Sequence, residues 1–155
     1  MFAVTTSYDL GVDATKVKIS WVVPYDNSAA ITGYQIIIQA NDLANFFEDK
    51  VNCDGNQDPV KSSLSCFIPL TVLRAAPYSL EFNDLVVAKA RAKNIWGFGA
   101  YSENNTAGAY IQTEPNAPAS PVLDIALSTL TSIKLDWPAL TGLSTGQSPI
   151  TSYNL

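Results

Sequence analysis

Short stretches rich in Val, Ile, Thr and Tyr recur along the chain between turn residues, and no segment holds a helical period over three turns. The pattern predicts an almost wholly β chain, with strands expected over 4–10, 17–23, 32–39, 46–51, 65–68, 85–93 and 107–112. Val17, Ile19 and Trp21 alternate with Lys18 and Ser20, as in a strand with one buried face. A short helical turn is expected over 71–76, where Pro77 prevents its extension.

One part of the pattern returns. Lys18-Ile19-Ser20-Trp21 followed by Ile31-Thr32-Gly33-Tyr34 is echoed by Lys134-Leu135-Asp136-Trp137 and Ile150-Thr151-Ser152-Tyr153, with the two tryptophans 116 positions apart. A self-similarity of this length implies tandem modules. Between the copies, Pro115, Pro118 and Pro121 favour an extended, semi-rigid spacer. The expected organisation is a module over 1–113, a linker over 114–121, and over 122–155 the opening strands of a second module. An opening third of a β-module leaves apolar faces and strand edges uncovered, so strands from elsewhere are expected to complete it.

Charge narrows the partners. Charged residues are 15% of the chain, against about 25% in typical soluble domains, a surface that suits a packed, glycosylated or polymeric protein. The net charge is −5 and the basic residues are isolated, so the basic face that nucleic-acid binding needs is missing. Lys89, Arg91 and Lys93 alternate along one expected strand and read as its solvated face. No run of 18 apolar residues is present to span a membrane. Met1-Phe2-Ala3-Val4 turns polar at Thr5-Thr6-Ser7, too soon for the apolar core of a signal peptide, so a secreted protein's targeting segment would lie outside these residues.

Cys53 and Cys66 bracket a turn-rich loop and are the only two thiols. With no histidine they cannot make an ordinary four-ligand zinc site, which leaves a disulfide or two free thiols. The disulfide is favoured, and an oxidising, extracellular location follows from it. Without histidine no Ser-His or Cys-His nucleophilic pair can form, so no catalytic residue, cofactor or metal ligand is assigned. Asp54-Gly55-Asn56-Gln57-Asp58 begins like a calcium loop, but Pro59 and Ser65 stand where glycine and glutamate are needed. Gly97-Phe98-Gly99 has no following helix to bind phosphate, which favours a hairpin. Asn104-Asn105-Thr106 is a glycosylation sequon, with Asn104 the acceptor in a secreted chain.

A Trp in an early strand, a proline-containing loop and then Ile-Thr-Gly-Tyr resemble a fibronectin type III module. The run from Ala90 to Ser102, with Asn94, Gly97, Gly99 and Ser102, is similar to that family's penultimate strand and following hairpin. The resemblance covers about residues 4–113 and then restarts. It implies an all-β, immunoglobulin-like sandwich. The tyrosine usual in the penultimate strand is replaced by Val86, so Asp84 is expected to take over part of that corner's hydrogen bonding. The segment 41–64 is longer than typical, and such insertions more loosely resemble the tandem modules of large protist surface proteins.

The resemblance also implies that loops 24–30, 50–65 and 94–102 gather at one pole. There Tyr25, Trp96 and Phe98 become candidate interface aromatics, unless Trp96 folds back over its own core edge. Trp21 is expected in the core, and Trp137 likewise once its module is completed. The functional expectation is a non-enzymatic extracellular protein whose modules join end to end into a fibre or matrix. Its expected partners are neighbouring modules or subunits, with glycans possible. The rivals are a receptor or adhesin ectodomain binding protein or sugar through the Trp96 and Phe98 loops, and an accessory module of a secreted enzyme.

Overall fold

The computed structural model describes residues 3–9 and 13–154; the expectations placed on Met1, Phe2 and Leu10 fall outside them. The chain divides into two compact units, with the division at Ile111 and Gln112.

The first unit is an antiparallel sandwich. Strands β1 (Val4–Asp9), β2 (Asp13–Trp21) and β5 (Ser65–Pro69) form a three-stranded sheet in the order β1-β2-β5. Strands β3 (Gly33–Gln39), β4 (Phe46–Phe47), β6 (Ala88–Asn94) and β7 (Gly97–Phe98) form the other, in the order β4-β3-β6-β7. Three strands facing four in this order make a fibronectin type III-like, immunoglobulin-like sandwich. The alternation read in the sequence supplies the core: Val17, Ile19 and Trp21 from β2, Tyr34, Ile36 and Ile38 from β3, and Ile68 from β5 are buried together. Trp21 and Tyr34 meet with ring centroids 5.6 Å apart.

Several boundaries differ from expectation for local reasons. The strand expected over 46–51 stops at Phe47, because the largely buried Asp49 carboxylate accepts the N–H groups of Val51 and Asn52, each at 3.0 Å, and curls the chain into a turn. The strand expected over 17–23 ends at Trp21, and Val22 and Val23 before Pro24 are exposed. A one-turn helix α1 (Val60–Ser63) was not foreseen, and helix α2 (Leu70–Leu73) starts one residue before the expected turn and ends sooner.

No regular strand forms over 107–112. The segment pairs instead with the chain ahead of β6, Val86 N–H donating to Ala109 O at 2.9 Å and Ile111 N–H to Asp84 O at 2.8 Å. On β6 itself side chains take two amides: Ser102 Oγ accepts the Ala90 N–H at 3.1 Å, and Asn105 Oδ1 accepts the Ala88 N–H at 2.7 Å. The Asn105 amide donates to Val86 O at 3.0 Å and to Thr6 Oγ1 at 3.3 Å. Thr6, buried on β1, donates to Val86 O and accepts from the Ala109 N–H, so one hydroxyl joins the two sheets. Gly108 at φ 149° fits here because a Cβ would collide with Thr6. At the neighbouring corner Val86 is buried where the family's tyrosine would stand, and Asp84 Oδ2 accepts the Glu81 N–H at 2.7 Å.

The disulfide is present, joining Cys53 to Cys66 of β5. The loop it anchors returns to the edge of β3, where Gly55 O accepts the Tyr34 N–H at 3.0 Å. Only glycine fits there, since a Cβ on Gly55 would lie 2.5 Å from the Tyr34 carbonyl oxygen. The crosslink thus ties the three-stranded sheet to a loop paired with the four-stranded one. A loop of this length is stabilised by about 3 kcal/mol in the chain-entropy treatment.

In the second unit β8 (Val122–Leu123) pairs antiparallel with β9 (Leu135–Asp136), and Trp137 meets Tyr153 with centroids 5.8 Å apart. Thr113, expected to close the first module, and Asn116, in the expected linker, are hydrogen-bonded within this unit: Thr113 N–H donates to Gly146 O and Asn116 N–H to Ser144 O.

Replacing Asn105 by Ala strands the Ala88 N–H and the Val86 carbonyl, and is expected to cost about 1–3 kcal/mol in chemical denaturation. The sequon survives that change. Replacing exposed Asn104 by Gln removes the sequon acceptor and is expected to leave stability within about 0.5 kcal/mol.

Candidate binding face

The outward residues of the four-stranded sheet form the most organised polar array on the first unit. β6 places Lys89, Arg91 and Lys93 on its outer face, opposite Ile37, Gln35 and Gly33 of β3. The hairpin after β6 turns at Gly97, whose φ of 123° suits glycine, while Asn94 Oδ1 accepts the Trp96 N–H at 2.9 Å and fixes the bend. The chain then runs back along β6, held by Gly99 N–H to Ala92 O and Ser102 N–H to Ala90 O. That return carries Phe98 and Tyr101 over the cations.

The result is an alternating ladder: Phe46, Lys89, Tyr101, Arg91, Phe98, Lys93. Lys89 Nζ lies 3.9 Å from the Phe46 ring centroid and 5.4 Å from that of Tyr101. The Arg91 guanidinium carbon lies 4.4 Å from Tyr101 and 4.3 Å from Phe98, between the two rings. Lys93 Nζ ends the series 5.4 Å from Phe98. Each cation sits against the negative face of a ring. Gln35 locks the middle: its Oε1 accepts from Arg91 Nε at 2.7 Å and from the Tyr101 hydroxyl at 2.8 Å, and its Nε2 donates to Glu48 Oε2 at 3.0 Å. No carboxylate of the described residues forms an ion pair with Lys89, Arg91 or Lys93.

The three cations thus form more than the solvated strand face expected of their alternation, since each lies against an aromatic ring. The signal that could have found the ladder was Phe98 and Tyr101 alternating with glycines just after an alternating Lys-Arg-Lys strand.

The three aromatics singled out from sequence lie around one open groove of about 330 Å³, which Pro24, Ile31 and Lys93 also line. Trp96 is 85% exposed, so it does not fold back over the core, and Tyr25 is 81% exposed. Phe98 belongs to both features, lining the groove and stacking on Arg91 and Lys93. Of the third loop, Asn56 lies against Gly33 at the start of β3. Asn104 is exposed, apart from the groove lining.

Electrostatics elsewhere is local. The Asp54 carboxyl, at the head of the calcium-like run, is turned onto Asn56, whose backbone and side-chain N–H groups hold it below the usual carboxylate range. Among the described residues no three His, Cys, Asp or Glu side chains cluster as metal ligands. Burial, aided by the nearby negative charges of Asp49 and Glu48, pushes the Tyr78 phenol up to about 12. No helix among the described residues is long and apolar enough to cross a membrane.

No protein-family model and no curated protein matches the chain. Among solved structures it is similar to the crystal structure of the chicken CNTN1 FN1-FN3 domains, with 16% identity and a TM-score of 0.43. That match covers 91% of this chain and 41% of the other, so the chain spans less than half its length. The fold is carried by the strand order of the chain itself.

Arg91→Ala removes two ring contacts and the Gln35 hydrogen bond, and is expected to cost about 2 kcal/mol in urea denaturation. Arg91→Lys restores only part of this, because an ammonium lacks the flat guanidinium that fits between two rings. Trp96→Ala, at an exposed hairpin tip, is expected to change stability by less than about 0.5 kcal/mol.

Proposed function

We propose that the chain is a stretch of a non-enzymatic, extracellular structural or adhesive protein, a tandem array of fibronectin type III-like sandwiches that join end to end into a cell-surface or matrix fibre. The observation that carries this reading is the uncovered apolar surface of the second unit. Ile125, Leu127, Leu130 and Ile133 are all exposed, and Trp137 and Tyr153 flank an open cavity of about 480 Å³. Their counterparts in the first unit, Trp21 and Tyr34, are each 4% exposed beneath a full set of strands. Apolar surface of this extent marks an interaction site in a soluble protein. Strand addition from a neighbouring subunit, or further strands of the same polypeptide, would cover it.

Three other features support the placement and the class. The Cys53–Cys66 disulfide suits an oxidising compartment. The low charge content suits a protein packed against its neighbours. The absence of histidine removes the usual general base for nucleophilic catalysis. A second reading, a ligand-binding ectodomain of a receptor or adhesin, is favoured by the convergence of Tyr25, Trp96 and Phe98 around one groove.

Negative-stain electron microscopy and sedimentation of the concentrated protein test the fibre. End-to-end oligomers or filaments that grow with concentration are expected. Dispersed monomers at high concentration would sink polymerisation.

A further inference from the structure

We infer that the outer face of the four-stranded sheet, from Lys89 to the Trp96 hairpin, is a binding site for an acidic glycan, a polysaccharide bearing sulfate or carboxylate groups. The inference goes beyond the structural reading above and stands whether or not the protein forms a fibre. It starts from an imbalance of charge. The chain carries 14 acidic and nine basic side chains, yet three of the nine basic ones line up on one strand face with no ion pair to a carboxylate of the described residues. The surrounding carboxylate, Glu48, is taken by Gln35 and Lys50. Among the described residues no ion pair neutralises Lys89, Arg91 or Lys93, and their row is left cationic.

The geometry is built before any ligand arrives. Gln35, Phe46, Tyr101 and Phe98 hold Lys89 and Arg91 in fixed positions, so little side-chain entropy is lost when an anion binds. The ring faces satisfy the cations only partly: Arg91 bonds through Nε and, among the described residues, makes no hydrogen bond through its η nitrogens, which remain available as a fork for sulfate or carboxylate. Alternate residues of a strand are spaced by about 6.8 Å, so the three cations span roughly 14 Å. That is a row suited to a polymer with regularly spaced anionic groups.

Aromatic exposure selects among polyanions. At the end of the row the Trp96 and Tyr25 rings lie open to solvent beside Lys93, presenting flat apolar faces on which the C–H face of a pyranose can stack. An extended acidic peptide is disfavoured, because strand addition needs a free edge and the main-chain groups of β3 and β6 here are already paired within the sheet. A nucleic acid is disfavoured because its affinity comes mainly from neutralising a long run of backbone phosphates, and this row offers three cations.

The test uses the full chain and four probes: a size-defined heparin octasaccharide, the same octasaccharide made neutral by desulfation, N-acetylation and carboxyl reduction, poly-L-glutamate and an oligothymidylate. Titration calorimetry is expected to show that the heparin octasaccharide binds and weakens as salt is raised, with the other three at least about tenfold weaker, one decade of affinity. Lys93→Gln and Trp96→Ala are each expected to weaken heparin binding by about fivefold, as for loss of one ion pair or one ring contact, with the thermal midpoint unchanged. Four results would overturn the inference: no heparin binding at low salt, equal binding of the desulfated sugar, tighter binding of poly-L-glutamate or oligothymidylate, or unaltered affinity in both variants. Filament formation is scored separately, so a failure here leaves the assembly reading to its own test.

Discussion

The register between β3 and β6 is the constraint on which the rest of the first unit depends. With Gln35 opposite Arg91 and Ile36 opposite Ala90, every second residue of both strands is committed to one side. Inward go Tyr34, Ile36 and Ile38 from β3 and Ala88 and Ala90 from β6, all buried. Outward go Gln35, Lys89, Arg91 and Lys93. A slip by one residue would drive three cations into the core and expose the isoleucines, which a marginally stable sandwich cannot absorb. The core and the ladder are therefore two faces of one decision.

Around that pair of strands, the edges are closed by unlike devices. At the start of β3, the disulfide-anchored loop brings Gly55 in to take the Tyr34 N–H. On the far side of β6, Ser102 and Asn105 side chains take amides that a regular strand would have paired, and Thr6 ties the Asn105 amide to the opposite sheet. Side-chain pairing leaves the returning chain free to deviate from a flat ladder. Past β7, where Phe98 is still paired opposite Lys93, the returning chain carries Tyr101 over Arg91.

How much of this the sequence disclosed follows from how local each cause is. The alternation of Val17, Ile19 and Trp21, the hairpin at Gly97 and the buried place of Trp21 are written within a few residues, and all were readable. The Cys53–Cys66 bond was readable because no other thiol competes. By contrast the Asp49 turn that cuts β4 short depends on a buried side chain, and α1 is too brief to show a period. The ladder was hidden for a stronger reason: its rungs come from Phe46, Lys89, Arg91, Phe98 and Tyr101, on segments joined only by the fold. Whether Trp96 lay open or folded back likewise could not be decided from the hairpin's own residues, because it depends on what the Pro24 loop leaves uncovered.

The most direct test of this account is the position of the side-chain methylene protons of Lys89 and Arg91 in a carbon-edited NMR spectrum. If the two side chains are held against Phe46, Tyr101 and Phe98, ring currents move those protons clearly upfield of their random-coil positions, with nuclear Overhauser contacts to the rings, and Gln35→Ala moves those of Arg91 part of the way back. Random-coil shifts for both residues in the wild-type protein, with no contacts to the rings, would contradict the ladder and with it the claim that the β3–β6 register organises this face.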